Sequence, residues 1–146
     1  MKVSLQLQLT CMFKKLNILI LESSKVAARR LLEILMGYEE INEILYAPSF
    51  DKPIDLLLSQ RVDIVLCNIH LTQENIAKLS SLQQKVIPFC LVVCSSLRQQ
   101  VNLVANSNLV VDHYLDLEKE SGKLIDIIAE YARTLLVTQN KIMSYR

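Results

Sequence analysis

Asn68 follows the apolar run 64–67, and its side chain limits the chemistry that this strand end can perform. A carboxylate at such a position can attack as an anionic nucleophile or bind a divalent cation. A neutral amide cannot act as that nucleophile, and it brings no negative charge to a cation. The residue type therefore favours a polar, hydrogen-bonding site or a loop-ordering amide over a catalytic one.

A thiol and an imidazole lie close to Asn68 in the sequence. Cys67 and His70 have the residue types of a nucleophile and its general base, but Cys67 belongs to the apolar run and no third, orienting group is evident. His70 has the type of side chain that titrates near neutral pH, so a pH switch is the alternative to a solvated loop histidine. We predict no enzymatic activity.

The remaining cysteines and the glycines give no sign of a cofactor. The chain has four cysteines, namely Cys11, Cys67, Cys90 and Cys94. They form no C-x-x-C pair and mostly lie in apolar runs, which is typical of buried thiols in a reducing cytoplasm and predicts no metal centre. The two glycines, Gly37 and Gly122, form no phosphate-binding loop.

Composition excludes several classes of protein. The chain has 146 residues, 51% of them hydrophobic, and a formal net charge of +1, which suits one globular domain with a substantial core. Nearly balanced acids and bases are not typical of a nucleic-acid-binding protein. No apolar run approaches the roughly 18 to 20 residues that a membrane span needs, and the N-terminus lacks the apolar core of a typical secretory signal.

Apolar runs alternate with amphipathic segments from Leu16 onwards. Compact runs predict strands at 16–21, 41–47, 62–67, 89–94 and 109–115. Spacing and capping residues predict helices at about 24–36, 51–58, 72–85, 97–105 and from 121 onwards. In the fourth helix the inward positions are predicted to be Leu97, Val101, Val104 and Ala105. Continuous apolar strands are buried on both faces, so we predict a doubly wound α/β fold, with a five-stranded parallel sheet in the order 2-1-3-4-5 and helices on both faces.

From about residue 16 to residue 136 the chain resembles the receiver domains of bacterial two-component response regulators. ILILESS stands where that family has an apolar run followed by two acids, and VDIVLCNIHL is similar to the segment that carries the phosphoryl-accepting aspartate. Ser95 matches the Ser or Thr after the fourth strand. DHYLDL places Tyr114 at the aromatic switch position and Leu117 at the lysine position. The resemblance implies a flavodoxin-like fold and a role in phosphorelay signal transduction.

The chain departs from this family where the family carries out phosphoryl transfer. Asn68 stands at the acceptor position, and an amide cannot form an acyl phosphate. Glu22 keeps one carboxylate while Ser23 replaces the other, so Mg²⁺ binding is expected to be weak or absent. Leu117 supplies no ammonium. We therefore predict a vestigial phosphoacceptor pocket formed by Glu22, Ser23, Asn68, Ser95 and Leu117.

Tyr114 and His113 lie on the fifth predicted strand. In the resembled family, the face formed by the fourth helix, the fifth strand and the fifth helix dimerises or meets partners. The resemblance therefore implies a protein partner or a homodimer at this face, without nucleic acid or membrane. A tyrosine packed at the edge of the sheet is the alternative interpretation of Tyr114.

Residues outside the resembled region suggest a division of the chain. In KVSLQLQLT the residues Val3, Leu5, Leu7 and Leu9 alternate with polar ones, which is typical of a half-buried strand. This segment could add an edge strand to the sheet or pair with its copy in a homodimer; alternatively, it is upstream sequence that happens to alternate. We divide the chain into an N-terminal extension, 1–13, a receiver-like domain, 14–137, and a C-terminal helical tail, 138–146.

Three functions are consistent with the sequence. The leading hypothesis is a degenerate receiver, or pseudo-receiver, that is not phosphorylatable at the usual acceptor position and acts through protein–protein interaction. The first alternative is a conventional phosphorelay receiver with an unusual acceptor. The second is an enzyme or small-ligand binder that uses the crevice lined by Glu22, Asn68, Ser95 and Cys67.

Overall fold

The computed structural model describes residues 14–50, 61–85, 88–94 and 98–144, without the side chains of 98, 99 and 139–144. Strands and helices alternate through these ranges. The strands are β1 (Leu16–Leu21), β2 (Ile41–Ala47), β3 (Ile64–Cys67), β4 (Cys90–Val93) and β5 (His113–Tyr114). The helices are α1 (Lys25–Leu35), α2 (Gln73–Lys85), α3 (Arg98–Ala105) and α4 (Leu117–Ser144). The predicted N-terminal strand and the predicted helix at 51–58 lie outside the described residues, as does Ser95.

All five strands are parallel, and their order is β2-β1-β3-β4-β5, which confirms the predicted topology. The strands end nearly level, since Leu21 pairs with both Ala47 and Cys67, and Cys67 pairs with Val93. We call this end of the sheet the carboxyl edge and the opposite end the amino edge. Residues that follow β1 and β3 are therefore neighbours at the carboxyl edge.

Helices cover both faces of the sheet, as predicted. On the first face, alternate strand residues such as Leu19, Val65 and Leu91 pack with Leu79 of α2 and Val104 of α3. The second face, which carries α1 and α4, contains Leu31, Leu35, Leu124, Ile128 and Ala132 packed on Ile18, Ile20, Leu66 and Val92. The central strands have side chains in both cores, so their sequences are continuous apolar runs.

Local signals explain the ends of α1. Ser24 is the N-cap, and its Oγ accepts a hydrogen bond from the N–H of Ala27 at 3.2 Å. Gly37 follows the helix with a φ of +90°, a left-handed conformation that favours glycine over other residues. Both features agree with the sequence prediction for this helix.

The largest differences from the prediction are in β5, in α3 and at the start of α4, while Leu97, which was predicted to face inward, lies outside the described residues. β5 contains only His113–Tyr114, because both backbone groups of Val110 bind the side chain of Gln83 instead of entering the sheet. On α3, Val104 is buried as predicted, but Val101 is 37% exposed and Ala105 is exposed. The inward position is taken by Gln100, which is 2% exposed, so the predicted inward face was wrong at these two residues.

α4 begins earlier than the predicted residue 121. Its first turn starts at Leu117, and the N–H groups of Lys119 and Glu120 both bind the C=O of Asp116. Glu120 is not helical, with φ −127° and ψ 26°, so the helix is interrupted after one turn and then continues to Ser144. Within the ranges given above, no helix is long and apolar enough to cross a membrane.

Candidate functional site

The ends of β1 and β3 hold Glu22 and Asn68 side by side. The N–H of Asn68 donates to the C=O of Leu21 at 2.8 Å, and the N–H of Glu22 donates to the C=O of Ala47 at 3.2 Å. The hydrogen-bond ladders therefore continue one residue beyond the strands. Both side chains start from backbone that is fixed by the sheet, which is the adjacency that the sequence predicted.

The carboxylate of Glu22 has a hydrogen-bond donor at each oxygen. Asn68 Nδ2 donates to Oε2, and the backbone N–H of Ser24 donates to Oε1 at 3.0 Å. Glu22 is only 4% exposed, so these donors replace the water that the carboxylate loses on burial. The carboxylate also lies at the N-terminus of α1, where the helix dipole favours a negative charge. The site is a buried carboxylate bound by an amide.

Two other residues of the predicted pocket, Ser23 and Leu117, do not join this pair. Ser23 is exposed, and Ser95 is outside the described ranges. Leu117 is partly buried and packs against the second-face core, so at the lysine position the structure has an apolar contact. Of the five predicted pocket residues, the described structure brings together Glu22 and Asn68.

Among the described residues, the carboxyl edge offers few of the oxygen ligands that Mg²⁺ prefers. This ion prefers several oxygen ligands in octahedral geometry. Glu22 is the one carboxylate beside Asn68 among the described strand-end residues, and N–H donors occupy both of its oxygens. Across the described part of the chain, no group of three or more His, Cys, Asp or Glu side chains is placed to hold a metal ion.

The thiols next to this site remain protonated at neutral pH. Cys67 is 1% exposed, and burial, followed by the charge of Glu22, raises the pKa of its thiol to about 11 even though a contact with the backbone of Ile69 lowers it. Burial also raises the pKa of the Cys94 thiol to about 12. Since the thiolate is the reactive form, this environment does not activate Cys67 as a nucleophile.

His70 contacts a residue that the sequence analysis missed. Its Nδ1 lies within hydrogen-bond distance of Nε2 of the buried Gln100, and its C=O accepts a hydrogen bond from Asn75 Nδ2 at 3.2 Å. These contacts connect the β3–α2 loop to α3. The available signal was a glutamine four residues before Val104, on the inward side of a helix.

Tyr114 and His113 lie on β5, at one end of the sheet. Both side chains are exposed, with Tyr114 at 39%, and partial burial raises the pKa of its phenol. Val110, just before β5, is also exposed, at 63%, and on α3 Val101 is 37% exposed. The β5 edge thus offers aromatic and aliphatic surface.

A cavity of about 540 Å³ lies between α2 and α3, away from the strand ends. Its lining contains the apolar side chains of Ile76, Ala77 and Leu103 together with neutral serine, asparagine and glutamine residues. Neither Glu22 nor Asn68 contributes to it. This cavity is therefore separate from the crevice that the sequence analysis considered for a small ligand.

A five-stranded, doubly wound sheet with polar residues after β1 and β3 defines the flavodoxin-like class to which receiver domains belong. Comparison with solved structures shows the receiver fold itself. The chain is similar to the signal receiver domain of an HD domain-containing protein from Pseudomonas fluorescens Pf-5, with a TM-score of 0.66 and 19% identity over 86% of this chain and 99% of that one. The fold resemblance predicted from the sequence is confirmed.

Two response regulators of known structure show the same fold. The phosphorylated cyanobacterial phytochrome response regulator RcpA has a TM-score of 0.59 and 19% identity over 80% of this chain and 90% of its own. The Mn²⁺-bound form of response regulator Rcp1 has a TM-score of 0.57 and 20% identity over 79% of this chain and 90% of its own. No protein-family model matches the sequence, and no curated protein matches it.

Proposed function

We propose that this chain is a degenerate receiver domain that takes no phosphoryl group at the usual acceptor position and signals through protein–protein contact. The observation that carries the proposal is the hydrogen bond from Asn68 to the buried carboxylate of Glu22. Its two partners stand at the strand ends where receiver domains have their acceptor and their metal-binding acids. We propose no enzymatic activity.

The first argument concerns the nucleophile. Phosphoryl transfer to a receiver requires a carboxylate oxygen that attacks phosphorus and forms an acyl phosphate. The carboxamide of Asn68 is neutral, and its Nδ2 is already directed at Glu22. Glu22 is buried and hydrogen-bonded at both oxygens, so it is a poor substitute for the missing aspartate.

The second argument concerns charge. RcpA and Rcp1 were solved phosphorylated and Mn²⁺-bound, respectively. In this chain a divalent cation would compete with the amide of Asn68 and the N–H of Ser24 for the oxygens of Glu22, and it would find no second carboxylate at Ser23. Leu117 offers no ammonium for a phosphoryl oxygen. We therefore propose that Mg²⁺ binding is weak or absent.

The third argument concerns the output. A receiver without phosphoryl chemistry can act only through its surface, and Tyr114, His113 and Val110 are exposed on or just before β5, while Val101 is exposed on α3. Aromatic side chains such as that of Tyr114 are enriched at protein interfaces. We propose that α3, β5 and α4 form the contact surface for another signalling protein or for a second copy of the chain.

Intact mass spectrometry tests the loss of phosphorylation. The wild-type chain and Asn68→Asp are incubated with a small phosphodonor and Mg²⁺, beside a conventional receiver as positive control. We expect no added phosphoryl group on either protein, because Ser23 and Leu117 still leave the pocket incomplete. Modification of the wild type would establish a conventional receiver, and robust modification of Asn68→Asp would refute the argument from charge.

Light scattering over a range of concentrations tests the contact surface for self-association. If the chain dimerises through the β5 edge, Tyr114→Ala should weaken the dimer at least about tenfold, since buried interface tyrosines are common hot spots. Tyr38→Ala is the matched control, because Tyr38 is similarly exposed, at 40%, but lies in the α1–β2 connection. Equal effects of the two substitutions would place the interface elsewhere.

A further inference from the structure

The outer edge of β2 presents backbone groups that no described residue pairs. β2 lies at one end of the sheet, and within the described ranges it pairs with β1 alone. Ala47 faces β1, because its C=O accepts a hydrogen bond from the N–H of Glu22. The pairing is regular from Glu43 to Ala47, and successive residues of a strand alternate in direction. The N–H and C=O groups of Ile44 and Tyr46 therefore point away from β1.

β2 lacks the features that usually protect such an edge. Lysines, prolines and bulges on an edge strand prevent it from pairing with other chains. The strand sequence INEILYA has neither lysine nor proline, and the irregularity in its ladder lies at its start, opposite Leu16 and Asn17. Ile44 is only partly buried, and Tyr46 is 37% exposed. β2 therefore combines outward backbone groups with apolar side chains that a further strand would cover.

The charge along this edge is negative. Glu39, Glu40 and Glu43 lie in β2 or directly before it, and residues 36–47 include no lysine, arginine or histidine. Glu39 and Glu43 are exposed, and Glu40 is partly buried. None of the three carboxylates forms an ion pair with a residue of the described ranges. Because complementary charges attract partners and position them at an interface, a strand that docks at this edge should be basic.

We propose that the outer edge of β2 binds an extended segment of a partner protein that carries lysine or arginine side chains. The segment adds a strand to the described sheet. Ile44 and Tyr46 supply the main-chain hydrogen bonds, and the carboxylates before and within β2 attract the basic side chains. This inference goes beyond the proposed function and does not depend on it, because the proposed contact surface lies at the β5 end of the sheet.

A second copy of the chain fits this edge less well than a basic segment does. Two copies related by a two-fold axis would pair their β2 strands antiparallel. The acidic start of each β2 would then face the C-terminal half of the other β2, Ile44 to Ala47, which has no basic residue. Nothing in such a pair compensates the carboxylates, whereas a segment with lysine or arginine does.

Residue-resolved hydrogen exchange tests the proposal with synthetic heptapeptides, which match β2 in length. A capped peptide of alternating lysine and valine should at saturation slow the outward amides of Ile44 and Tyr46 at least about tenfold, because ladder hydrogen bonds protect amides from exchange. The amides of Leu45 and Ala47 face β1, and their rates should stay within about threefold. Unchanged rates at the outward amides would overturn the proposal. So would outward amides that are as protected as those of Leu45 and Ala47 before any peptide is added.

Two further peptides identify the mode of binding. A peptide with glutamate in place of lysine should leave the outward amides unchanged, and equal slowing by it would overturn the basic character of the occupant. A lysine peptide with two adjacent central prolines lacks a ladder donor in either register, so it should also have no effect. Equal slowing by the proline peptide would overturn strand pairing. Outward protection that rises with protein concentration without peptide would overturn the proposed occupant in favour of a second copy.

Substitutions in the chain test the carboxylates. Glu39→Gln/Glu43→Gln should weaken binding of the lysine peptide at least about threefold, because two exposed ion pairs are lost. Glu118→Gln/Glu130→Gln removes the same charge at exposed positions of α4 and should leave binding unchanged. Equal weakening by both pairs would overturn the assignment to the β2 edge. Tyr114→Ala should also leave binding unchanged, and a loss there would overturn the assignment by placing the peptide at the β5 end.

Discussion

Asp63 binds Asn17 through both its backbone and its side chain. The N–H of Asp63 donates to the C=O of Asn17 at 2.9 Å, and the carboxylate of Asp63 accepts from the N–H of Asn17 at 2.8 Å. Asp112 repeats this arrangement with Leu91, at 2.9 Å and 2.7 Å. Each aspartate comes directly before a strand, so a carboxylate extends the ladder at the amino edge, where that strand has not yet begun.

Asp63→Ala should lower the free energy of unfolding by about 2 kcal/mol, because it removes a charged acceptor and leaves the N–H of Asn17 without its partner. The Asp63 side chain is only 6% exposed and also accepts from Arg61 Nε at 3.3 Å. Asp112→Ala is the control: it has the same geometry at an exposed position, so its effect should be about half as large. Urea unfolding measures both, and a change below about 0.5 kcal/mol for Asp63→Ala would contradict the assigned role.

The bounds of the first two strands could be predicted from the sequence because the residues within each segment are enough to identify the strand. Leu16–Leu21 and Ile41–Ala47 are short segments rich in Ile and Leu, and the observed bounds coincide with those expected. β5 could not be predicted in the same way. The run at 109–115 is equally apolar, but a glutamine from another element binds the backbone of Val110. No local pattern encodes such a tertiary contact.

The candidate site could likewise be predicted from the sequence only in part. Parallel topology was enough to place Glu22 beside Asn68, because the ends of β1 and β3 must be neighbours. The direct hydrogen bond between them depends on side-chain conformations that periodicity does not specify. Gln100 was missed because the apolar pattern of α3 favours Val101, whereas the contact with His70 places Gln100 inward.

Gln83→Ala should destabilise the segment around Val110 that leads into β5. The Gln83 amide donates to the C=O of Val110 at 2.6 Å and accepts from its N–H at 3.0 Å, which replaces two bonds of a strand ladder. Two hydrogen bonds of this kind contribute about 1 to 2 kcal/mol together. Urea unfolding should show this loss, and the Val110 amide should exchange faster. Gln84→Ala, at the exposed neighbouring position, should change stability by less than about 0.5 kcal/mol.

Stability should fall in alkaline solution because the buried thiols must ionise on unfolding. Burial raises the pKa of Cys67 from 9.0 to about 11 in the folded protein. The folded value is the higher one, so the stability that this thiol contributes is complete below pH 9 and is lost as the pH rises towards 11. Burial raises the pKa values of Cys90 and Cys94 to about 12, so they add to the same slope.

Cys67→Ala isolates the contribution of one thiol. The substitution leaves a small cavity, which costs about 1 kcal/mol at every pH. It also removes one ionising group, so the slope of unfolding free energy against pH between 9 and 11 should decrease by up to about 1.4 kcal/mol per pH unit. Urea unfolding under reducing conditions at several pH values measures both effects. Parallel curves for the two proteins would contradict a raised pKa at Cys67.

Leu117→Lys should destabilise the chain more in the wild-type background than in a background in which aspartates replace Ser23 and Asn68. Alone, it replaces an apolar contact of the second-face core with an ammonium, while Glu22 is the one carboxylate beside Asn68 among the described strand-end residues, and this change costs about 1 to 2 kcal/mol. In the background Ser23→Asp/Asn68→Asp, the flexible lysine can extend to the carboxylates, and a double-mutant cycle should give a favourable coupling of at least about 1 kcal/mol. Val137→Lys is the control, because Val137 is 53% exposed on the same helix and should show no coupling. Effects at Leu117 that are additive within about 0.5 kcal/mol would mean that this position is not energetically coupled to the strand-end pocket. The absence of the lysine would then be unrelated to the absence of the acids.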